Sequence, residues 1–309
     1  MKRAAVAALS VFALMLAGPL LAQTRDENAR RCNGNSPDLA IGACTALIQS
    51  GRETTKALAI AFNDRGNAYL KKGDSARALE DFNEATKLDA AYPTPYYNRA
   101  IVYNNKGDHQ RAIQEYSHAI RLKPNYVSAY NNRGSAYDDL GQYAKAIEDY
   151  TKAIKLDAKF GMAYNNRGVA YKNLGQYPRA IADYDVAIRL DASKANRWNN
   201  RCWARLLADQ VQSALVDCNQ ALKVDGKYGD ALDGRGVIHL RLKQADDALA
   251  DFEAAVKLDG SDAYALYGRG LAKQAKGDKA GGDADIASAT KIKADIGTIY
   301  NSNYHLPGS

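Results

Sequence analysis

The feature that most constrains the fold of this chain is a repeat with a period of 34 residues. An arginine followed by a small residue recurs at this interval with no insertion between the copies. These arginines are Arg65, Arg99, Arg133, Arg167, Arg201, Arg235 and Arg269. A period of about 20 to 50 residues is typical of solenoid proteins, in which each unit buries its apolar face against its neighbours.

Within each unit, aromatic and small side chains recur at helical spacing in two series. In the third unit these series are Tyr130, Gly134 and Tyr137, followed by Ala146, Tyr150 and Ala153. Spacings of three and four residues indicate one face of an α-helix, and Gly141 between the two series indicates a turn. Each unit is therefore predicted to be a helix–turn–helix, and the chain is predicted to be all-α.

This pattern resembles the tetratricopeptide repeat (TPR) family, whose 34-residue unit places small and aromatic residues at these offsets. The resemblance covers residues 59–296. It predicts seven repeats, at residues 59–92, 93–126, 127–160, 161–194, 195–228, 229–262 and 263–296. It implies a TPR solenoid, a right-handed superhelix whose concave groove is lined by the first helix of each repeat. It also implies a function in binding proteins or peptides.

The segments that flank the repeats predict export and capping. Residues 1–22 combine Lys2 and Arg3 with an apolar stretch that ends in small residues, which is typical of a secretory signal peptide. An uncleaved membrane anchor is the alternative. Residues 23–58 are predicted to form an N-terminal helical cap, and residues 297–309 a C-terminal tail. We therefore expect an exported bacterial protein, periplasmic or secreted, without stable membrane insertion once the signal is cleaved.

Composition argues against several other classes of protein. The chain has 42 Lys and Arg residues against 35 Asp and Glu, but it has no long basic run, so no nucleic-acid partner is expected. Its four His and four Cys residues lack the spacing of a zinc site, and the common phosphate-binding and hydrolase motifs are missing. We therefore predict no enzymatic activity, no metal and no cofactor.

An acidic residue follows each repeated arginine by sixteen positions. These residues are Asp81, Glu115, Asp149, Asp183, Asp217, Asp251 and Asp285. A track of arginines for an anionic ligand is one interpretation of the basic column. The matching acids favour structural ion pairs between antiparallel helices, within a repeat or across to the next, which fix the register of the repeats.

Asparagine recurs beside the arginines in four successive repeats, although it is a poor helix former. The residues are Asn98, Asn131, Asn132, Asn165, Asn166, Asn199 and Asn200. Because a carboxamide both donates and accepts hydrogen bonds, such a row can hold the backbone of an extended peptide, and the TPR resemblance supports this use. Alternatively, the amides bond to neighbouring repeats. The first interpretation predicts a peptide site centred on residues 96–207.

The TPR resemblance also implies pairings for the cysteines. Cys202 and Cys218 occupy the small and aromatic positions that meet between the two helices of a repeat, and export places them in an oxidising compartment. A disulfide between them is therefore predicted, which leaves Cys32 and Cys44 to pair in the N-terminal cap. Free, buried thiols are the alternative.

Together these patterns predict a scaffold or adaptor of the cell envelope that binds an extended protein or peptide segment in its groove. The identity of the partner does not follow from the sequence. One alternative is an accessory protein for envelope polysaccharide, which would use exposed tyrosines such as Tyr97. Another is a structural spacer whose contacts lie outside the groove.

Overall fold

The structure, a computed structural model, describes residues 24–304. The predicted signal peptide, residues 1–22, lies outside the described residues. Within the described range the chain forms seventeen helices and no strand, so the prediction of an all-α fold is confirmed. The chain divides into two compact units, with the boundary between Gly141 and Gln142.

The first unit contains seven helices. They are α1 (residues 24–32), α2 (Pro37–Gln49), α3 (Thr55–Lys71), α4 (Ser75–Leu88), α5 (Pro93–Asn105), α6 (His109–Leu122) and α7 (Val127–Asp139). Helix α3 packs against α4, and α5 packs against α6, as the first and second helices of two repeats. Each second helix also packs against the first helix of the following repeat, so the hydrophobic core runs continuously from pair to pair.

The second unit contains ten helices. They are α8 (Tyr143–Leu156), α9 (Gly161–Asn173), α10 (Tyr177–Leu190), α11 (Ala195–Leu207), α12 (Val211–Val224), α13 (Gly229–Arg241), α14 (Ala245–Leu258), α15 (Ala263–Ala275), α16 (Lys279–Ile292) and α17 (Ile296–Tyr304). The first helices of its repeats, α9, α11, α13 and α15, lie side by side. The short helix α17 contacts both α11 and α15.

Glycine on the first helices allows close approach of an aromatic ring from a second helix. A Cβ atom added at Gly66 would lie 2.6 Å from the ring of Phe82. The ring of Phe252 touches two glycines in the same way, because a Cβ would lie 2.7 Å from it at Gly236 and 2.3 Å from it at Gly268. The small and aromatic columns of the sequence are therefore two sides of one packing contact.

The repeated arginines form structural ion pairs. Their shortest nitrogen–oxygen distances to the acids are 2.6 to 2.8 Å in the pairs Arg65–Asp81, Arg99–Glu115, Arg167–Asp183, Arg201–Asp217, Arg235–Asp251 and Arg269–Asp285. Most of these guanidinium groups also donate to the second helix of the preceding repeat. Arg167 donates to Thr151 at 3.0 Å, and Arg201 donates to Asp185 at 2.6 Å. The arginine therefore joins three helices, and its charge is used inside the scaffold.

The repeats are stabilised by two disulfides and by a contact of the last helix, α17. Cys32 and Cys44 link α1 to α2, which packs on α3. Cys202 and Cys218 link α11 to α12, at the position where Gly66, Gly168 and Gly236 meet an aromatic ring in three of the other repeats. At the other end, Tyr300 of α17 is buried, and its hydroxyl donates to the carbonyl oxygen of Tyr264 at 2.7 Å.

Candidate functional site

In the first unit, the asparagines join neighbouring repeats. The amide of Asn98, which is buried, donates to Oδ1 of Asn63 in the preceding repeat at 2.9 Å. Asn132 donates to the hydroxyl of Tyr97, also in the preceding repeat, at 3.0 Å. Asn131 is buried and donates to Oδ1 of Asn132 at 3.1 Å. In these bonds the side-chain amides donate to the protein itself, and not to the carbonyl oxygens of a bound peptide.

Tyr97 is not the exposed aromatic side chain that the polysaccharide alternative expects. It is half-buried, and its ring packs 4.8 Å from the ring of Tyr126 and 5.7 Å from that of Tyr116, measured between centroids. Burial raises the pKa of its hydroxyl. The expectation was wrong because the tyrosine fills space between two repeats rather than facing solvent.

In the second unit, the asparagines also form a bond between neighbouring repeats, but one side-chain oxygen, that of Asn199, remains without a donor among the described residues. Asn200 donates to Oδ1 of Asn165 in the preceding repeat at 3.1 Å, and Asn165 donates to Oδ1 of Asn166 at 3.3 Å. Asn199 is only 3% exposed. Its buried Oδ1 atom has no hydrogen-bond partner among the residues that the structure describes.

Asn199 and Asn200 line a pocket of about 630 Å³ in the second unit. The pocket extends along the first helices α9, α11 and α13 to the start of α15, and α17 contributes to its wall. Trp203 and Tyr264 provide aromatic surface there. A site lined from several successive repeats is elongated, which suits an extended ligand more than a compact one.

One end of this pocket is acidic. It is lined by Asp230 and Asp233 of α13 and by Asp262, which caps the N-terminus of α15 through bonds from the backbone amides of Tyr264 and Ala265. Asp233 is 5% exposed, and its buried Oδ1 atom has no hydrogen-bond partner within the described part of the chain. Burial, with the adjoining carboxyls of Asp262 and Asp230, raises the pKa of Asp233 to about 8.

Only two of the seven predicted asparagines therefore reach this pocket, and the sequence reasoning missed its acidic and aromatic side chains. Asp233 stands in the same column as Asn131, Asn165 and Asn199, one repeat further on. The change from asparagine to aspartate at position 233 was the feature of the sequence that could have indicated an acidic part of the site. The predicted range of 96–207 ends before this part of the pocket.

Between residues 24 and 304 no group of three or more His, Cys, Asp or Glu side chains is arranged to hold a metal ion. No helix in that range is both long enough and apolar enough to span a membrane.

Models of the tetratricopeptide repeat family match most of the repeat region. One described as tetratricopeptide repeat matches residues 127–160 and 162–193, another so described matches 212–263 and 234–281, and one described as TPR repeat matches 66–107 and 102–141. The matched ranges cover more than half of the chain. The chain therefore belongs to the tetratricopeptide repeat family, whose members are typically non-enzymatic scaffolds.

Solved structures share this fold at low sequence identity. A tetratricopeptide repeat protein from Parabacteroides merdae is 20% identical, with a TM-score of 0.63 over 79% of this chain and 97% of that one. The pilF protein of Pseudomonas aeruginosa is 15% identical, with a TM-score of 0.61 over 69% and 97%. YrrB, described as a TPR protein with an unusual peptide-binding site, is 21% identical, with a TM-score of 0.50 over 61% and 97%. A search of curated proteins finds no significant match.

Proposed function

We propose that this TPR protein is a scaffold of the cell envelope that binds an extended segment of a partner protein in the pocket of its second unit. The observation that carries the proposal is the pocket itself, which runs along successive first helices and whose wall includes acceptors that residues 24–304 leave unsatisfied. A buried polar atom without a partner costs free energy, and a ligand that donates a hydrogen bond recovers it.

The chemistry of the pocket wall suits a polypeptide. Oδ1 of Asn199 offers an acceptor for a backbone N–H group, and Trp203 offers apolar surface for a side chain. YrrB, which shares the fold, is described as having a peptide-binding site. These features favour a short run of extended chain over a folded domain.

The cell envelope is proposed because of the disulfides. All four cysteines form disulfides, which are Cys32–Cys44 and Cys202–Cys218. Disulfides persist in oxidising compartments such as the bacterial periplasm and are rare in the cytosol. The predicted signal peptide at residues 1–22 supports the same assignment.

A polysaccharide ligand is the second candidate, because Tyr177, Trp203 and Tyr264 line the pocket and aromatic rings can stack on sugars. The buried acceptors do not distinguish the two ligands, since hydroxyl groups also donate hydrogen bonds. The test must therefore identify what occupies the pocket.

The test is site-specific photo-crosslinking in cells of the native host. p-Benzoylphenylalanine replaces Tyr264, which lines the pocket and is 36% exposed. In a matched control it replaces Val216 of α12, which is 64% exposed and lies outside the pocket. We expect a protein adduct at position 264 that is missing at position 216, and mass spectrometry locates the partner segment.

Other adducts would contradict the proposal in different ways. A carbohydrate adduct at position 264 would favour the polysaccharide candidate. Protein adducts at position 216 alone would move the interface to the second helices, as in the structural-spacer alternative.

A further inference from the structure

We propose that the acidic end of the pocket binds the ammonium or guanidinium group of a lysine or arginine side chain in the partner segment. This inference rests on the proposed function, because it assigns a residue type to the segment that the pocket holds. The carboxyls of Asp230, Asp233 and Asp262 would face that cationic group.

Two residues of the pocket wall carry an acceptor atom without a partner. Asn199 and Asp233 both line the pocket, and the buried Oδ1 atom of each has no hydrogen-bond partner among the described residues. The two side chains are 3% and 5% exposed, so bulk water does not solvate these atoms freely. Oδ1 of Asn199 is an acceptor, and Oδ1 of Asp233 becomes one when the carboxyl ionises beside a cationic group, so both suit a ligand that donates hydrogen bonds. Ammonium and guanidinium groups carry donors and no acceptor.

The charge of this end also favours a cationic ligand. Three carboxyls lie here, whereas Lys172, the basic side chain among the described residues of the pocket wall, belongs to α9, two repeats before α13. The chain as a whole has a formal net charge of +7. The acidic end is therefore opposite in sign to the molecule that carries it, which disfavours an anionic ligand and attracts a cationic one.

The carboxyls of Asp233 and Asp262 both line this end of the pocket. Burial, with the neighbouring carboxyls of Asp262 and Asp230, raises the pKa of Asp233 to about 8, so that the folded protein without a ligand holds a proton there at neutral pH. Asp262 accepts hydrogen bonds from two backbone amides at the N-terminus of α15, which hold its carboxyl in place. A cationic group from the ligand can take the place of the proton on Asp233.

The aromatic side chains of the pocket wall suit the stem of a lysine or arginine. Trp203 and Tyr264 line the pocket along with the carboxyls. The long methylene stems of lysine and arginine pack on such surface, and their charged ends are attracted to the faces of aromatic rings. An isolated small cation would leave this surface without a contact.

The experiment selects peptides from a random decapeptide library displayed on phage, with the full-length protein as bait. The same selection uses the Asp233→Asn variant, which keeps the shape of the side chain. A control variant, Asp247→Asn, removes an exposed carboxyl of α14 that does not line the pocket and so changes the net charge equally. We expect one peptide position to be enriched in Lys or Arg with the wild type and Asp247→Asn, and this enrichment to disappear with Asp233→Asn.

Affinity measurements then quantify the effect with a selected peptide and two synthetic analogues. Replacement of its basic residue by norleucine or citrulline is expected to weaken binding to the wild type by about 10-fold or more, since a hydrogen-bonded charge is lost. The same replacement is expected to change binding to Asp233→Asn by less than about 3-fold. Asp230 is an exposed residue of the same pocket, and Asp230→Asn is expected to lower the affinity for the basic peptide without altering the fold.

The outcomes separate the two proposals. Selection of peptides without a basic preference, or an equal preference in Asp233→Asn, overturns this inference and leaves the proposed function standing. Failure to select any peptide overturns both. Spermidine, a small polyamine, tests whether a free cation occupies the acidic end instead of a partner side chain. If spermidine displaces the selected peptide at concentrations well below the dissociation constant of the peptide, the assignment to a partner side chain is overturned.

Discussion

At the scale of single residues, Lys243 shows how the repeat tolerates an unfavourable side chain. The residue between the two helices of a repeat has a positive φ angle, and it is glycine at Gly73, Gly107, Gly175 and Gly277. In the sixth repeat the same position holds Lys243, with φ of 60°. A side chain with a Cβ atom is strained in this left-handed conformation.

We predict that Lys243→Gly raises the free energy of unfolding by about 1 kcal/mol, because glycine adopts a positive φ without that strain. Chemical denaturation of the purified protein measures the change. Lys243→Ala is the control, since it removes the same exposed side chain but keeps the Cβ atom. Equal stabilities of the glycine and alanine variants would contradict the explanation.

The second prediction for a single residue concerns Asp233 and the pH dependence of stability. Its pKa is raised to about 8 by burial and by Asp262, Asp230 and Asp251. Between about pH 4 and pH 8 the folded state therefore retains a proton that the unfolded state releases, and the free energy of unfolding falls as the pH rises. The other charged groups near α13, Arg235 and His239, contact Asp251 instead.

Asp233→Asn removes this penalty. We expect the variant to gain about 1 kcal/mol or more over the wild type between pH 5 and pH 8, because one unit of pKa corresponds to about 1.4 kcal/mol. Denaturation curves at several pH values measure the difference. Parallel pH profiles for the two proteins would show that Asp233 does not hold a proton in the folded state.

At the scale of helices, the repeat is held together by contacts that cross from one pair to the next. The sequence predicted the ion pairs between each arginine and the acid sixteen residues later. It did not predict the second bond to the preceding repeat, as from Arg235 to Asn219 at 2.9 Å. The acceptor in that column varies among Asn, Ser, Thr and Asp, so no single residue type marked it.

The contact between glycine and an aromatic ring gives a prediction for α15. Phe252 is fully buried between Gly236 and Gly268, so its ring cannot move away from an added methyl group. We predict that Gly268→Ala lowers the free energy of unfolding by about 1 to 3 kcal/mol, despite the better helix propensity of alanine.

Gly226 offers the matched control in the same unit. A Cβ atom added there would lie 3.7 Å from the nearest non-neighbouring atom, the carbonyl oxygen of Leu222. Gly226→Ala should therefore change stability by no more than about 0.5 kcal/mol. Thermal or chemical unfolding compares the two variants, and an equal effect would mean that the ring contact does not limit the residue at position 268.

At the scale of the whole molecule, the fold was predictable from the sequence because the 34-residue period repeats the same contacts. Gly66 with Phe82 and Gly236 with Phe252 are copies of one interaction, and each further copy reinforces the assignment. The bounds of the repeats and the cap remain sequence predictions, although α2 and α17 extend the helical structure beyond the repeats on both sides.

The site was harder to predict because it depends on residues that depart from the period. Asp233 replaces an asparagine, Asp262 replaces the aromatic or basic residues of its column, and α17 lies outside the repeats altogether. The asparagine row could not be interpreted from sequence alone. Whether an amide such as Asn98 faces a ligand or bonds to Asn63 depends on the distance between adjacent first helices, and only the structure gives that distance.

At this scale, we propose that a partner segment lies in the pocket of the second unit with a basic side chain at the acidic end of the pocket. A crystal structure of the full-length protein with the tightest selected peptide tests this most directly. We predict that a nitrogen atom of a lysine or arginine side chain lies within about 3.2 Å of Oδ1 of Asp233, with Asn199 as a second acceptor. A peptide bound on another surface, or a neutral side chain beside Asp233, would contradict the account.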